Sequence, residues 1–110
     1  MPLTLYCWHC NEGIKELVKL DYITELRLKG CENITNEAMP FICDIKGLEL
    51  LHLIGTSITT AGFQQIGKLN LLKKLLISAD RDDPLLEEIY VNLPKDCEFI
   101  VDYKRYPFSE

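Results

Sequence analysis

The sequence lacks the features by which nucleic-acid-binding and membrane-spanning proteins are recognised. Its 12 lysines and arginines are outnumbered by 17 aspartates and glutamates, so the formal net charge is −5 and no basic excess is available to bind a phosphate backbone. No apolar run reaches the roughly 20 residues of a membrane-spanning helix, and the first residues lack the basic lead and apolar core of a signal peptide. We therefore expect a cytoplasmic protein that binds neither nucleic acid nor membrane.

Most motifs that carry catalysis or hold a cofactor are missing as well. There is no glycine-rich phosphate loop and no Gly-x-Ser-x-Gly nucleophile motif. The two histidines, His9 and His52, and the five cysteines do not form the paired spacings of a structural zinc site. The aspartates of SADRDD (78–83) lack the order of a calcium loop. The sequence therefore predicts no enzyme activity, no cofactor and no metal site.

The motif Cys7-Trp8-His9-Cys10 is the strongest argument against that expectation. It lies between a short apolar strand and a predicted helix start, where the helix dipole would lower the pKa of the first thiol, and it resembles the redox motif of thioredoxin-like proteins. A thiol-disulfide oxidoreductase is therefore the alternative function. The rest of the chain does not follow that pattern, since the context of Pro94 does not match the expected cis-proline. The simpler interpretation is two small residues that pack under a terminal cap.

A unit of strand, turn and short helix is repeated along the chain. In LELLHLIGTSITTAGFQQIGKL (48–69), the alternation around Leu51 and Leu53 predicts a strand, Gly55 predicts a turn, and Thr59 is a suitable N-cap for the short helix that follows. The apolar anchors of the equivalent strands, spaced 25, 24 and 24 residues apart, are Leu26, Leu51, Leu75 and Phe99. One unit cannot bury its own apolar faces, so this period predicts stacked copies.

Residues 23–42 and 48–66 resemble the leucine-rich repeats of the cysteine-containing and bacterial short types, whose pattern is roughly LxxLxLxxCxxITDxGLxxL. ITELRLKGCENITNEAMPFI carries the Leu-x-Leu, the cysteine as Cys31 and the Ile-Thr. LELLHLIGTSITTAGFQQI carries the Leu-x-Leu, the Ile-Thr and the Gly-apolar pair, with Thr56 at the cysteine position. The resemblance implies a small α/β solenoid of about five parallel strands, each followed by a helix, that binds another protein.

We interpret the 110 residues as a single leucine-rich-repeat domain. Residues 1–22 are the N-terminal cap repeat, 23–47, 48–71 and 72–96 are repeats, and 97–110 hold the last strand and the tail KRYPFSE. In the fourth unit, Asp83 is expected to cap a helix that opens with Pro84. The tail is expected to cap the exposed edge of the last strand. Cys31 and Cys43 are expected to be buried.

The concave side of the predicted sheet, called the open face below, is the predicted binding surface. If the strand anchors point into the core, the alternate residues point to this face, and several of them are apolar, which is typical of an interaction site. The predicted centre consists of Leu50, His52, Ile54, Lys74, Leu76 and Ile100. The predicted rim consists of Arg27, Lys29, Glu98 and Asp102.

The occupant of the open face is predicted to be another protein. The chain would then be an adaptor, an assembly factor or an immunity protein that neutralises a toxin. Two alternatives stay open at this point: a second copy of the chain in a homodimer, or the chain's own tail folded over the face.

Overall fold

The computed structural model describes the backbone of Leu3–Tyr6, together with Ile14 and residues 23–108. Six strands of this part of the chain form one sheet: β1 (Leu3–Tyr6), β2 (Ile23–Arg27), β3 (Leu50–His52), β4 (Lys74–Ile77), β5 (Glu98–Val101) and β6 (Lys104–Tyr106). The strands lie side by side in chain order. Strands β1 to β5 are parallel and β6 is antiparallel to β5. The chain is therefore a small α/β fold with a mostly parallel sheet.

The register of the sheet follows the spacing of the strand anchors. Leu26 is paired with Leu51, Leu51 with Leu75, and Leu75 with Phe99, and each of these side chains is at most 1% exposed. Because side chains alternate along a strand, the residues on either side of each anchor belong to the opposite face. The anchor pattern read from the sequence is thus confirmed.

The connections that follow β2, β3, β4 and β5 are less helical than predicted. They contain the 3-10 helices Asn36–Ala38, Thr60–Phe63 and Ile66–Lys68 and the α-helices Met39–Ile42 and Leu85–Asn92. The connection after β3 has no α-helix, and it carries Gly62 and Gly67, each of which disfavours helix by up to about 1 kcal/mol relative to alanine. Strand β5 continues to β6 through a two-residue turn. The prediction that every strand is followed by a helix is therefore wrong after β5, and after β3 the helix is only of the 3-10 type.

Of the two predicted capping residues, Asp83 makes a capping hydrogen bond and Thr59 does not. Asp83 Oδ1 accepts a hydrogen bond from the backbone N–H of Leu85 at 2.9 Å, in agreement with its predicted capping role. The helix itself begins one residue later than predicted, at Leu85, with Pro84 at the N-cap position. Thr59 occupies the N-cap position of the next 3-10 helix, but its side chain makes no capping bond. Its hydroxyl instead accepts a hydrogen bond from Asn36 Nδ2 at 2.8 Å, so it links two neighbouring connections of the chain.

The core lies between the sheet and the connections. Its largest fully buried side chains include Ile14, Ile23, Leu26, Leu28, Ile34, Leu48, Leu51, Ile66 and Phe99. Cys31 and Cys43 are buried as predicted, with exposed fractions of 5% and 0%. Burial raises the pKa of the Cys43 thiol to about 11, so this thiol is protonated at neutral pH.

The tail lies along the edge of the sheet as strand β6. The ring of Tyr106 is 5.4 Å from that of Phe99 and 5.3 Å from those of Tyr90 and Phe108, measured between centroids. The Tyr106 hydroxyl donates a hydrogen bond to Glu87 Oε2 at 2.8 Å. Residues 104–106 therefore cover the free edge of β5, and they do not fold over the open face as a lid.

Candidate binding face of the sheet

The open face is built from three rows of side chains that run across the strands. The first row contains Glu25, Leu50, Lys74 and Glu98. The second row contains Arg27, His52, Leu76, Ile100 and, from β6, Arg105. The third row lies just beyond the strand ends and contains Lys29, Ile54, Ser78 and Asp102, held in step by hydrogen bonds such as Gly30 N–H to Ile54 O at 2.9 Å. All ten residues predicted from the sequence stand in these rows.

The centre of the open face is more buried than the sequence indicates. His52, Ile54 and Leu76 are only 8%, 7% and 9% exposed. Leu50 and Ile100 are half-buried. The expected patch of freely exposed apolar residues is therefore smaller than predicted.

Lys29 and Tyr103 are in contact at the open face. Lys29 Nζ lies 5.4 Å from the centre of the Tyr103 ring, a cation–π distance. Lys29 follows β2 and Tyr103 lies in the turn after β5, so the two side chains meet across the third row, in which Ile54 lies between them. Tyr103 itself is 60% exposed, which leaves an aromatic ring displayed at the edge of the open face.

His52 stands at the centre of the face and is surrounded by positive charge. Its Nδ1 accepts a hydrogen bond from the backbone N–H of Ile54 at 3.4 Å. Burial lowers the pKa of His52 below its ordinary value of 6.5, and the charges of Lys29, Arg27 and Lys74 lower it further. The imidazole is therefore neutral at pH 7, which agrees with an Nδ1 that accepts a hydrogen bond.

The charges of the open face are unevenly distributed. Cations lie on β2 and β4 around His52, whereas Glu98 and Asp102 lie at the β5 side. Glu25 forms an ion pair with Arg27, with 3.3 Å between Oε1 and Nη2. In a chain whose net charge is −5, the middle of the open face is thus locally positive.

Sequence reasoning missed two residues of this face, Tyr103 and Arg105. Both depend on the hairpin between β5 and β6, whose turn places Asp102 and Tyr103 at φ values of 49° and 68°. Positive φ at both central residues is typical of a type I′ turn, which usually carries Asn-Gly. The sequence has Asp-Tyr there, so the usual signal of a hairpin was absent.

The described residues contain three cysteines. Cys31, Cys43 and Cys97 are free thiols, and no group of three or more histidine, cysteine, aspartate or glutamate side chains in the described ranges is arranged to hold a metal ion. The motif Cys7-Trp8-His9-Cys10 lies outside the described residues. None of the helices that the structure describes is long and apolar enough to cross a bilayer.

No known protein family and no curated protein sequence matches this chain.

Proposed function

We propose that the chain is a small leucine-rich-repeat solenoid that binds another protein through its open face. The repeat is supported by hydrogen bonds between equivalent parts of successive units. Asn36 Nδ2 donates to Thr59 Oγ1 at 2.8 Å, and Asn36 Oδ1 accepts from the Thr59 N–H at 2.9 Å. Ser57 N–H likewise donates to Ile34 O at 2.8 Å. Such contacts, repeated at a fixed interval, are what stacked units require.

Ion pairs recur at nearly the same interval, 24 positions in place of 23. Lys68 Nζ lies 3.1 Å from Asp44 Oδ1, and Lys73 Nζ lies 3.3 Å from Glu49 Oε1. Each pair joins residues 24 positions apart. Exposed ion pairs contribute little stability, but their regular spacing supports the repeat interpretation.

Protein binding is proposed because the open face has the composition of an interface. Half-buried Leu50 and Ile100 offer apolar area, charged side chains surround them, and the exposed ring of Tyr103 belongs to a residue type enriched among binding hot spots. The connections pack on the other side of the sheet, so the described connections leave this face free. An adaptor, an assembly factor and a toxin-neutralising immunity protein would all use such a face.

The proposal is tested with two substitutions that add the same charge on opposite sides of the molecule. Ile100→Glu alters the second row of the open face, and Val91→Glu is its control because Val91 is 65% exposed on the Leu85–Asn92 helix. Wild type and both variants are immobilised, bound proteins are identified from a native lysate, and the interaction is repeated with purified partner. We expect Ile100→Glu to weaken binding by about tenfold or more and Val91→Glu to leave it nearly unchanged.

Circular dichroism and urea denaturation verify that both variants are folded. Equal binding by wild type and both variants would show that the binding site lies outside the open face. Failure of folded wild type to bind any partner would contradict the proposed function.

A further inference from the structure

We propose that the open face recognises an acidic segment, an extended stretch of the partner protein that carries aspartates or glutamates beside apolar residues. This inference rests on the proposed function and names the chemistry of its partner.

Three cations surround the centre of the open face, one from each row. Lys74 stands in the first row, Arg27 in the second and Lys29 in the third, on the two sides of His52. All three lower the pKa of the imidazole, which shows that their charges act on one small region. A bound carboxylate would relieve the mutual repulsion of these groups.

The protein itself supplies little counter-charge at this point. Glu25 is the one carboxylate at an open-face position of β2, β3 or β4, and it lies 3.3 Å from Arg27. On β5, Glu98 is the neighbour of Lys74 in the first row. Within the described residues, Lys29 and Lys74 form no ion pair. Lys29 and Lys74 can therefore pair with a carboxylate of a partner, Lys29 from its position over the Tyr103 ring, and Arg27 is shared with a single carboxylate.

The dimensions of the cluster suit an extended peptide. Neighbouring strands lie roughly 4.8 Å apart, so the distance across β2, β3 and β4 is roughly 10 Å. Alternate residues of an extended chain are roughly 7 Å apart, so two carboxylates of one short segment can reach cations on both sides of His52. Beside these cations, the half-buried side chains of Leu50 and Ile100 provide apolar contact for the residues that intervene.

A nucleic acid fits this face less well. The chain as a whole carries a net charge of −5, so a long polyanion is repelled by the rest of the surface. A phosphate backbone also offers no apolar side chains for the half-buried leucine and isoleucine of the face. A short acidic segment needs only the local positive region.

The direct test uses a fluorescent glutamate-rich peptide that carries two leucines and is blocked at both ends. Its binding to the full chain is measured by fluorescence anisotropy, beside the same peptide with lysine in place of glutamate and a labelled oligothymidylate. Of these three probes, we expect only the glutamate peptide to bind. Lys74→Glu should weaken its binding about five- to tenfold, whereas the control Lys95→Glu, an equal charge change in an exposed turn, should alter it less than about twofold.

The pH dependence of the affinity for the glutamate peptide is a second measurement. His52 faces Arg27 and Lys29 from the β2 side and Lys74 and Leu76 from β4. The carboxylates of the same face, Glu25 on β2 and Glu98 on β5, lie in the neighbouring first row. In the free protein these cations and burial keep the imidazole neutral, and a bound carboxylate favours its protonated form. Binding therefore takes up a proton, and affinity should rise as the pH falls from about 7.5 to about 5.5. His52→Gln should abolish this rise.

Each of the following outcomes would overturn the inference. Equal binding of the lysine peptide or preferential binding of the oligonucleotide would exclude recognition of an acidic segment. Equal weakening by Lys74→Glu and Lys95→Glu would indicate a general charge effect without a local site. No binding of the glutamate peptide would also overturn the inference, yet the Ile100→Glu and Val91→Glu comparison would still decide whether the open face binds a protein.

Discussion

Two glycines occupy equivalent turns after β2 and β3 and show how closely successive units approach. Gly30 and Gly55 have φ values of +79° and +83°, a region that residues with a Cβ rarely adopt. A Cβ added to Gly55 would lie 3.0 Å from the backbone nitrogen of Gly30, whereas one added to Gly30 would have no atom within 4 Å. Both glycines therefore adopt a backbone conformation with positive φ, but only at Gly55 would an added Cβ also press against the neighbouring turn.

This difference gives a matched pair of substitutions. Gly30→Ala should cost roughly 1 kcal/mol of stability, because only the left-handed backbone is strained. Gly55→Ala should cost roughly 2–4 kcal/mol, because the methyl group also pushes against the neighbouring backbone. Urea denaturation measures both values. Equal losses would mean that the two turns are not in close contact.

At the scale of the elements, the Leu85–Asn92 helix shows how a local cap also joins neighbouring connections. Asp83 Oδ1 accepts from the Leu85 N–H at 2.9 Å, and Asp83 Oδ2 accepts from the Thr60 hydroxyl at 2.8 Å. The carboxylate of Asp83 thus caps the helix and joins it to the 3-10 helix Thr60–Phe63. The cap was predictable from Asp-Pro in the sequence, but the bond to Thr60 was not, since it spans 23 residues.

We expect Asp83→Ala to destabilise the protein by about 1–2 kcal/mol, since it removes both hydrogen bonds. Asp82→Ala is the control because this neighbouring aspartate is exposed, and it should change stability by less than about 0.5 kcal/mol. Chemical denaturation followed by circular dichroism measures the two effects. Similar values for both variants would rule out the capping role of Asp83.

For the whole molecule, the last parallel strand, β5, is not an edge strand of the sheet. Strand β6 covers the last parallel strand, and the Tyr106 ring packs between Tyr90, Phe99 and Phe108. An uncovered strand edge would present unpaired backbone groups and favour association with other chains. Strand β6 thus ends the sheet and also brings Arg105 to the open face.

A chain that ends at Tyr103 should therefore lose roughly 3 kcal/mol or more of stability and should self-associate. Denaturation and light scattering measure the two effects. Arg105→Ala in the full chain is the control, because Arg105 is exposed on the open face and its loss leaves the edge covered. A truncated chain that stays monomeric and equally stable would show that β6 is not a structural cap.

The sequence by itself determined the strand anchors and the neighbours of each strand. The spacing of Leu26, Leu51, Leu75 and Phe99 places equivalent residues beside one another whenever successive units stack, so the ten predicted positions of the open face fall into adjacent rows. The cap by Asp83 was likewise predictable because it depends on residues next to one another in the chain.

Tertiary structure alone decided the helicity of the connections, the hairpin and the burial at the centre of the open face. Short connections must close a fixed distance between strands, and this requirement overrides weak helix propensity. The hairpin sets Asp102 and Tyr103 at positive φ, an unfavourable conformation that the pairing of β5 with β6 offsets. The contact of Tyr103 with Lys29 joins residues 74 positions apart, a relation that no local pattern encodes.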